Sequence, residues 1–139
     1  MRVKEIMCGD PACCTTGTNL ADVAKMMVEH DCGAIPVVDS MEHHAPVGVV
    51  TDRDIVCRSL AQGKNPAALT AGHCMSKVPV TIGSDMDVEE CERVMREHQI
   101  RRILVTDKDG ALRGIVAQAD IARHCRTADT GQLVHDVSA

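Results

Sequence analysis

The sequence predicts a mixed α/β (α+β) fold built from two tandem copies of one unit. Sliding the 139-residue chain by 68 positions superimposes five pairs of similar residues, namely Met7 on Met75, Pro11 on Pro79, Leu20 on Val88, Met27 on Met95 and His30 on His98. After Ser40 the shift falls to 66, which brings Gly48 onto Gly114 and Asp54 onto Asp120. Both copies alternate segments of helical periodicity with short, continuously apolar runs that are typical of buried strands.

In the first copy, the predicted elements are a short helix near Val3, an extended piece at 12–14, a helix at 20–30, strands at 34–38 and 47–50, and a helix from Thr51 to Gly63. Pro36 lies within the first apolar run, and proline has no N–H to donate, so this strand is expected at a sheet edge or with a locally unpaired position. The last helix should carry Ile55, Val56 and Leu60 on its apolar face.

The second copy repeats this order with an extended stretch at 78–82, a helix over 88–95, strands at 102–105 and 112–116, and a helix from Ala117. We therefore assign repeat 1 to residues 1–63, a linker to 64–70, repeat 2 to 71–126 and a flexible tail to 127–139. A linker this short favours two halves that pack tightly together.

One stretch, which we call the first junction, covers residues 48–54, and the second junction, at 114–120, is its counterpart. Thr51 and Asp54 have the spacing of a helix N-cap and its reciprocal carboxylate. A strand-to-helix junction gathers backbone N–H groups that can hold a phosphate, and Asp54 could accept hydrogen bonds from a ribose. These features suggest a nucleotide, although a capping box explains the same two residues without any ligand.

Composition narrows the classes of partner. The net charge is −5, and the chain has no aromatic residue on which a base could stack, so nucleic acid is a poor candidate. A bound heterocycle would have to be clamped between aliphatic side chains. No apolar run is long enough for a membrane span or a secretory signal, so we expect no membrane insertion and a cytoplasmic location.

Cysteine and histidine are abundant, but their spacing does not predict a metal site. None of the eight Cys residues forms a CxxC pair, and most lie at apolar positions of the pattern, where a buried thiol is expected. The one plausible cluster combines Cys8, Cys13 and Cys14 with His43 and His44, and the two histidines are expected to point to water. His30 and His98 are expected to cap equivalent helices. No catalytic motif is present, so sensing is favoured over enzymatic catalysis.

The strand 35–39 and the first junction, both present twice in register, resemble the CBS (cystathionine-β-synthase-type) domain pair over residues 1–126. This resemblance implies tandem β-α-β-β-α repeats packed as a pseudo-twofold pair with two clefts between them. It also implies that no cofactor is required and that the clefts bind AMP, ADP, ATP or S-adenosylmethionine.

Carried onto this sequence, the resemblance implies that Asp54 and Asp120 hold ribose hydroxyls and that Thr51 meets a phosphate. Ile35 and Pro36 match strand positions near the base. Ala117 stands where the first copy has Thr51, so the second cleft is expected to bind ligand more weakly or to take a less phosphorylated one.

Three arginines are further candidates for phosphate contact: Arg53, Arg101 and Arg102. For Arg101 and Arg102 a solvent-exposed position at the start of the strand is at least as good an interpretation, and for Arg53 a surface position is the favoured one.

Together with the resemblance, these observations predict a regulatory module that binds an adenosine nucleotide. The resemblance also implies a homodimer, with an enzyme or transporter as the regulated partner. A first alternative is a ligand-free structural or dimerisation module that scaffolds a partner protein. A thiol or metal sensor is a second alternative.

Overall fold

The computed structural model describes residues 1–78 and 80–128 of the chain. The strands are β1 (Cys8–Gly9), β2 (Cys14–Thr15), β3 (Ala34–Val38), β4 (Pro46–Thr51), β5 (Ser76–Lys77), β6 (Thr81–Gly83), β7 (Arg102–Thr106) and β8 (Leu112–Ala117). The α-helices are α1 (Leu20–Glu29), α2 (Asp52–Arg58), α3 (Ala71–Cys74), α4 (Val88–Glu97) and α5 (Gln118–Ala128). Short 3-10 helices cover Val3–Glu5, Leu60–Gln62 and Pro66–Ala68. The predicted mixed α/β order is confirmed.

The strands form two four-stranded sheets that exchange one strand each. The first sheet has the order β2-β3-β4-β5 and the second has the order β1-β8-β7-β6. β5 comes from the second repeat and pairs antiparallel with β4, whereas β1 comes from the first repeat and pairs antiparallel with β8. Each repeat therefore completes the sheet of the other, which the tandem order of the sequence does not reveal.

Each hydrophobic core also contains residues from both repeats. The core around the first sheet combines α1, β3 and β4 with Ala71 and Cys74 of α3. The core around the second sheet combines α4, β7 and β8 with Val3 from the N-terminal 3-10 helix. A third cluster of Val38, Leu104 and Leu112 joins the two sheets. The halves therefore pack tightly, as the short linker predicts.

The glycine of each junction is required by the exchanged strand. A Cβ at Gly48 would lie 2.6 Å from Met75 Sδ and 2.9 Å from the Ser76 carbonyl oxygen. A Cβ at Gly114 would lie 2.5 Å from Met7 Sδ and 3.1 Å from the Cys8 carbonyl oxygen. The absence of a side chain lets the incoming segment lie directly on the junction strand in both halves.

The structure places Pro36 in an interior strand, so the edge-strand alternative is wrong. β3 lies between β2 and β4. β2, however, pairs only with Val37 and Val38, while Pro36 pairs with Val49 of β4. Proline is tolerated here because β2 does not extend far enough to pair with Pro36, so no backbone N–H is needed at this position. The structure therefore agrees with the other alternative, a locally unpaired position.

The helix that begins after Thr51 is shorter than predicted. α2 ends at Arg58, a 3-10 helix follows, and Gly63 closes that segment with a φ of 72°. The Ser59 hydroxyl donates to the Ile55 carbonyl, and this side-chain bond competes with continuation of the helix. Val56 and Leu60 are 52% and 59% exposed, so the prediction that they face the core is wrong.

Helix α5 continues to Ala128 and so includes the first two residues of the predicted tail, and residues 129–139 lie outside the described part of the chain. Among the described residues, no helix is both long enough and apolar enough to cross a bilayer.

Candidate functional site

A cleft of about 170 Å³ lies where the two sheets meet beside the first junction. We call it the Thr51 cleft; its lining residues are Val49, Thr51, Ser76, Lys77, Val78, Val80, Ile100, Arg101, Arg102, Ile103 and Leu104. Thr51 ends β4, whereas Arg101 and Arg102 precede and begin β7 in the other repeat. The structure thus brings together three of the residues that the sequence proposed for phosphate contact.

Thr51 and Asp54 form the predicted capping box. The Asp54 amide donates to Thr51 Oγ1 at 3.0 Å, and the Thr51 amide donates to Asp54 Oδ2 at 3.0 Å. The backbone amides of Thr51 and Asp54 are therefore both satisfied by side chains of the same capping box. Since α2 has only seven residues, the side chains at this junction would matter more to an anion than the helix dipole would.

Asp54 also connects α2 to the exchanged segment of the second repeat. Its side chain is 16% exposed, and its Oδ1 lies 3.4 Å from Ser76 Oγ and 4.0 Å from Arg58 Nε. Arg58 in turn donates to the Met75 carbonyl at 2.7 Å. Oδ2 is committed to the capping bond, whereas Oδ1 makes only the longer contacts and has the capacity to accept further hydrogen bonds.

The second junction keeps the carboxylate and lacks the hydroxyl. The Ala117 amide donates to Asp120 Oδ2 at 2.8 Å, which reproduces one half of the capping box. Asp120 Oδ1 accepts from Arg123 Nη2, one turn further along α5. Asp120 is therefore engaged by the chain at both oxygens, and this junction offers no side-chain hydroxyl to a ligand.

Ile35 and Pro36 are fully buried in β3. The lining of the Thr51 cleft instead contains Ile103 and Leu104, which occupy the equivalent positions of the other repeat under the shift of 68 residues. Arg53 is exposed on α2 and is not among the lining residues.

Sequence reasoning also missed Ser76 and Lys77, which form the exchanged strand β5, and Val78, which directly follows it. The repeat itself could have found Ile103 and Leu104. β5 lies at the cleft because it pairs with β4 of the other repeat. Neither the periodicity nor the spacing of the sequence predicts this pairing.

The cysteines are less uniformly buried than predicted. Cys14, Cys74 and Cys91 are buried, but Cys8, Cys32 and Cys57 are exposed because they lie at an edge strand, a helix end and the outer face of α2. Burial raises the pKa of Cys14 and of Cys91 to about 11, which keeps these thiols protonated and unreactive at neutral pH. The side chain of Cys125 lies outside the described part of the structure.

The histidines behave differently from one another. His43 is 83% exposed, as predicted, and its Nδ1 lies 3.1 Å from Asp39 Oδ2. His44 instead turns inward, with its Nε2 2.9 Å from Cys13 Sγ, so the prediction that it points to water is wrong. His30 and His98 are the C-caps of α1 and α4, as predicted. Among the described residues, no group of three or more possible metal ligands converges.

Comparisons with known proteins agree with this architecture. The CBS domain family model matches residues 3–60 and 71–126. The uncharacterized protein YlbB of Bacillus subtilis is 37% identical over 138 residues, covering 99% of this chain and 91% of that protein. Hypoxic response protein 1 of Mycobacterium tuberculosis is 38% identical over 122 residues, covering 87% of this chain and 82% of that protein.

Two solved structures are similar over most of their length. Hypoxic Response Protein I with two coordinated zinc ions has a TM-score of 0.76 and 37% identity, covering 89% of this chain and 98% of that one. The CBS domain pair of protein MJ0100, in complex with 5'-methylthioadenosine and S-adenosyl-L-methionine, has a TM-score of 0.77 and 28% identity, covering 90% of this chain and 95% of that one. The duplicated unit, the paired sheets and these matches together show that the chain belongs to the CBS domain family.

Proposed function

We propose that the chain is a regulatory, non-enzymatic module that binds an adenosine-containing nucleotide in the Thr51 cleft. The observation that carries this proposal is the convergence of Thr51, Arg101 and Arg102 with aliphatic strand residues from both repeats. A hydroxyl and two guanidinium groups suit a phosphate, and the apolar walls suit a planar base.

Each part of the ligand has a partner of matching chemistry. Thr51 and the two arginines bind phosphate oxygens, and Asp54, whose Oδ1 lies 3.4 Å from Oγ of the lining residue Ser76, accepts hydrogen bonds from the ribose hydroxyls. The base lies among Ile100, Ile103 and Leu104, since the chain has no aromatic ring to stack on it. The adenosine compounds in the MJ0100 structure, whose sequence is 28% identical, support this ligand class.

Binding in this cleft would favour a more open arrangement of the two repeats. The cleft holds about 170 Å³, whereas sites for small organic ligands are typically about 300–1,000 Å³. A nucleotide therefore has to separate β5 from the start of β7, which belong to opposite sheets. Because the ligand has higher affinity for the separated arrangement, its binding shifts the population towards it, and that shift is the regulatory signal.

Thermal unfolding with and without adenosine ligands tests the proposal. A nucleotide at a hundredfold excess over its dissociation constant should stabilise the protein by about 2.7 kcal/mol. Asp54→Asn keeps an oxygen that can accept the Thr51 amide but removes the charge, so it should abolish most of this gain. Asp22→Asn, in the exposed first turn of α1, is the matched control. No stabilisation by any adenosine compound would favour a ligand-free scaffold.

The proposal includes a cytoplasmic location and assembly as a homodimer. Light scattering coupled to gel filtration measures the assembly directly, and cell fractionation measures the location. A monomer at micromolar concentration would contradict the dimer without affecting the ligand proposal.

Zinc binding is a second candidate function, favoured by one contact, the 2.9 Å separation of Cys13 Sγ and His44 Nε2. The similar structure with two coordinated zinc ions supports it. A structural zinc site needs four donors, and this pair supplies two, so the described residues alone do not complete a site.

A hydrogen bond explains the same contact without a metal. Burial and then the charge of Asp10 raise the pKa of Cys13, which keeps a proton on the thiol that it can donate to His44. Zinc analysis of purified protein, with Cys13→Ser and the exposed control Cys32→Ser, distinguishes the two explanations.

A further inference from the structure

Three cationic residues line the Thr51 cleft: Lys77, Arg101 and Arg102. All three are exposed, and within residues 1–78 and 80–124 their side chains form neither an ion pair nor a hydrogen bond. Some other basic side chains are engaged, such as Arg93 with two glutamates and Arg113 with Asp107. Lys25 and Lys108 are also exposed and form no ion pair within the described part of the chain, so what distinguishes the three cations is that they line one cleft.

The cations flank the cleft from both of its walls. Lys77 lies on β5 of the first sheet, whereas Arg102 begins β7 of the second sheet. Arg101 also lines the neighbouring groove between α4 and α5, so the positive charge extends outward from Thr51. A single phosphate is too small to contact all three cations, whereas a chain of two or three phosphates can reach them together.

The equivalent positions of the other half carry no charge. Under the 68-residue shift, Lys77 corresponds to Gly9, Arg101 to Gly33 and Arg102 to Ala34. The cations are therefore not demanded by the fold, because the same strand positions are built without them in the other repeat.

Resting on the proposed nucleotide function, we propose that the Thr51 cleft selects its ligand by the length of the phosphate chain, and that it prefers adenosine di- and triphosphates over the monophosphate. Thr51 holds the first phosphate beside the ribose, and the three cations bind the phosphates beyond it. Charge-assisted hydrogen bonds of this kind raise affinity by roughly tenfold for each phosphate that gains a cation.

Calorimetric titration with adenosine, AMP, ADP and ATP in the presence of EDTA tests the proposal, since bound magnesium would otherwise neutralise the phosphates. Affinity should rise at each step from AMP to ATP, by roughly a hundredfold in total. The variant Lys77→Ala/Arg101→Gly/Arg102→Ala, which places uncharged residues like those of the other repeat at these positions, should lose this gradient while its affinity for adenosine, which has no phosphate, stays unchanged. Lys25→Ala, on the exposed surface of α1, should keep it.

The outcomes separate this inference from the function on which it rests. Equal affinity for AMP and ATP in the unmodified protein overturns the phosphate-length selection and leaves nucleotide binding intact. A gradient that persists in the triple variant also overturns it. If none of the four adenosine compounds binds, the proposed function itself fails.

Discussion

The two halves of the molecule share their framework and differ at their junctions. In each half a methionine from the other repeat lies on the junction glycine. In each half, too, an aspartate accepts the backbone amide of the residue three positions before it: Asp54 accepts from Thr51, and Asp120 accepts from Ala117. Asp39 and Asp107, at equivalent positions, close the loop between the two central strands by accepting backbone amides. The threonine hydroxyl occurs only in the first repeat and the three cations only in the second, and all of them line the same cleft.

This difference separates the demands of folding from those of binding. Features present in both halves satisfy buried donors or allow close approach of the exchanged strands, and any sequence with this fold has to provide them. Features present in one half are not needed to build the sheet, since the other half is built without them. The one-sided residues are therefore the better candidates for ligand chemistry.

The largest expected effect is at the contact between the sheets. Leu104 is 1% exposed and belongs to the cluster that joins them, so Leu104→Ala should lower the free energy of unfolding by about 2–5 kcal/mol. Because both sheets share this cluster, the whole chain should unfold in one transition. Circular dichroism recorded during a urea titration measures this transition. Val28→Ala, at an 82% exposed position, should have little effect. Two separate transitions would show that the halves are independent.

The next effect concerns the junction glycines. Gly48→Ala and Gly114→Ala each place a Cβ within 3 Å of a methionine sulfur and should destabilise by about 1–3 kcal/mol. Gly48→Ala should cost more, because its Cβ would lie 2.9 Å from the Ser76 backbone oxygen, closer than the 3.1 Å between a Gly114 Cβ and the Cys8 backbone oxygen, and a backbone atom cannot move aside as a side chain can. Gly17→Ala, with open space around it, is the control in the same urea titration. Equal stability of all three variants would contradict the exchanged packing.

A smaller effect is expected from the caps. Thr51→Ala removes the hydroxyl that accepts the Asp54 amide and should cost about 0.5–2 kcal/mol. Ala117→Thr introduces the same group at the second junction and should stabilise the protein, by less than Thr51→Ala destabilises it. Thermal midpoints of the two variants measure both changes. A destabilised Ala117→Thr protein would show that the halves differ at this position for a packing reason.

The smallest effect is visible only in acid. The hydrogen bond from the Ala111 amide outweighs desolvation and, with hydrogen bonds from the Asp109 amide and the Arg113 side chain, lowers the pKa of Asp107 below its ordinary value. The ionised form therefore stabilises the fold above the unfolded-state pKa, and this contribution is lost as the pH falls through the lowered folded-state pKa. Asp107→Asn should flatten the acid side of a plot of thermal midpoint against pH below about 4. An unchanged slope would show that Asp107 is dispensable to the loop.

Much of the candidate site could be predicted because its parts are local. The Thr51–Asp54 capping box spans four residues, and its geometry follows from one helix start. Strand β3 was predicted with its observed bounds, since a short apolar run next to a glycine has few alternatives. The end of α2 could not be predicted in the same way, because the Ser59 to Ile55 bond competes with a helical pattern that otherwise continues.

By itself, the sequence determined the repeat, the order of helices and strands, the two junctions and the loss of the hydroxyl at Ala117, since each of these is a matter of spacing along the chain. Only the tertiary structure decided that β1 and β5 exchange sheets and that Lys77, Arg101 and Arg102 meet around Thr51. Strand pairing between segments far apart in the chain depends on which buried surfaces fit together. Because the hydrophobic effect is non-directional, an apolar run in the sequence does not specify the distant segment against which it packs.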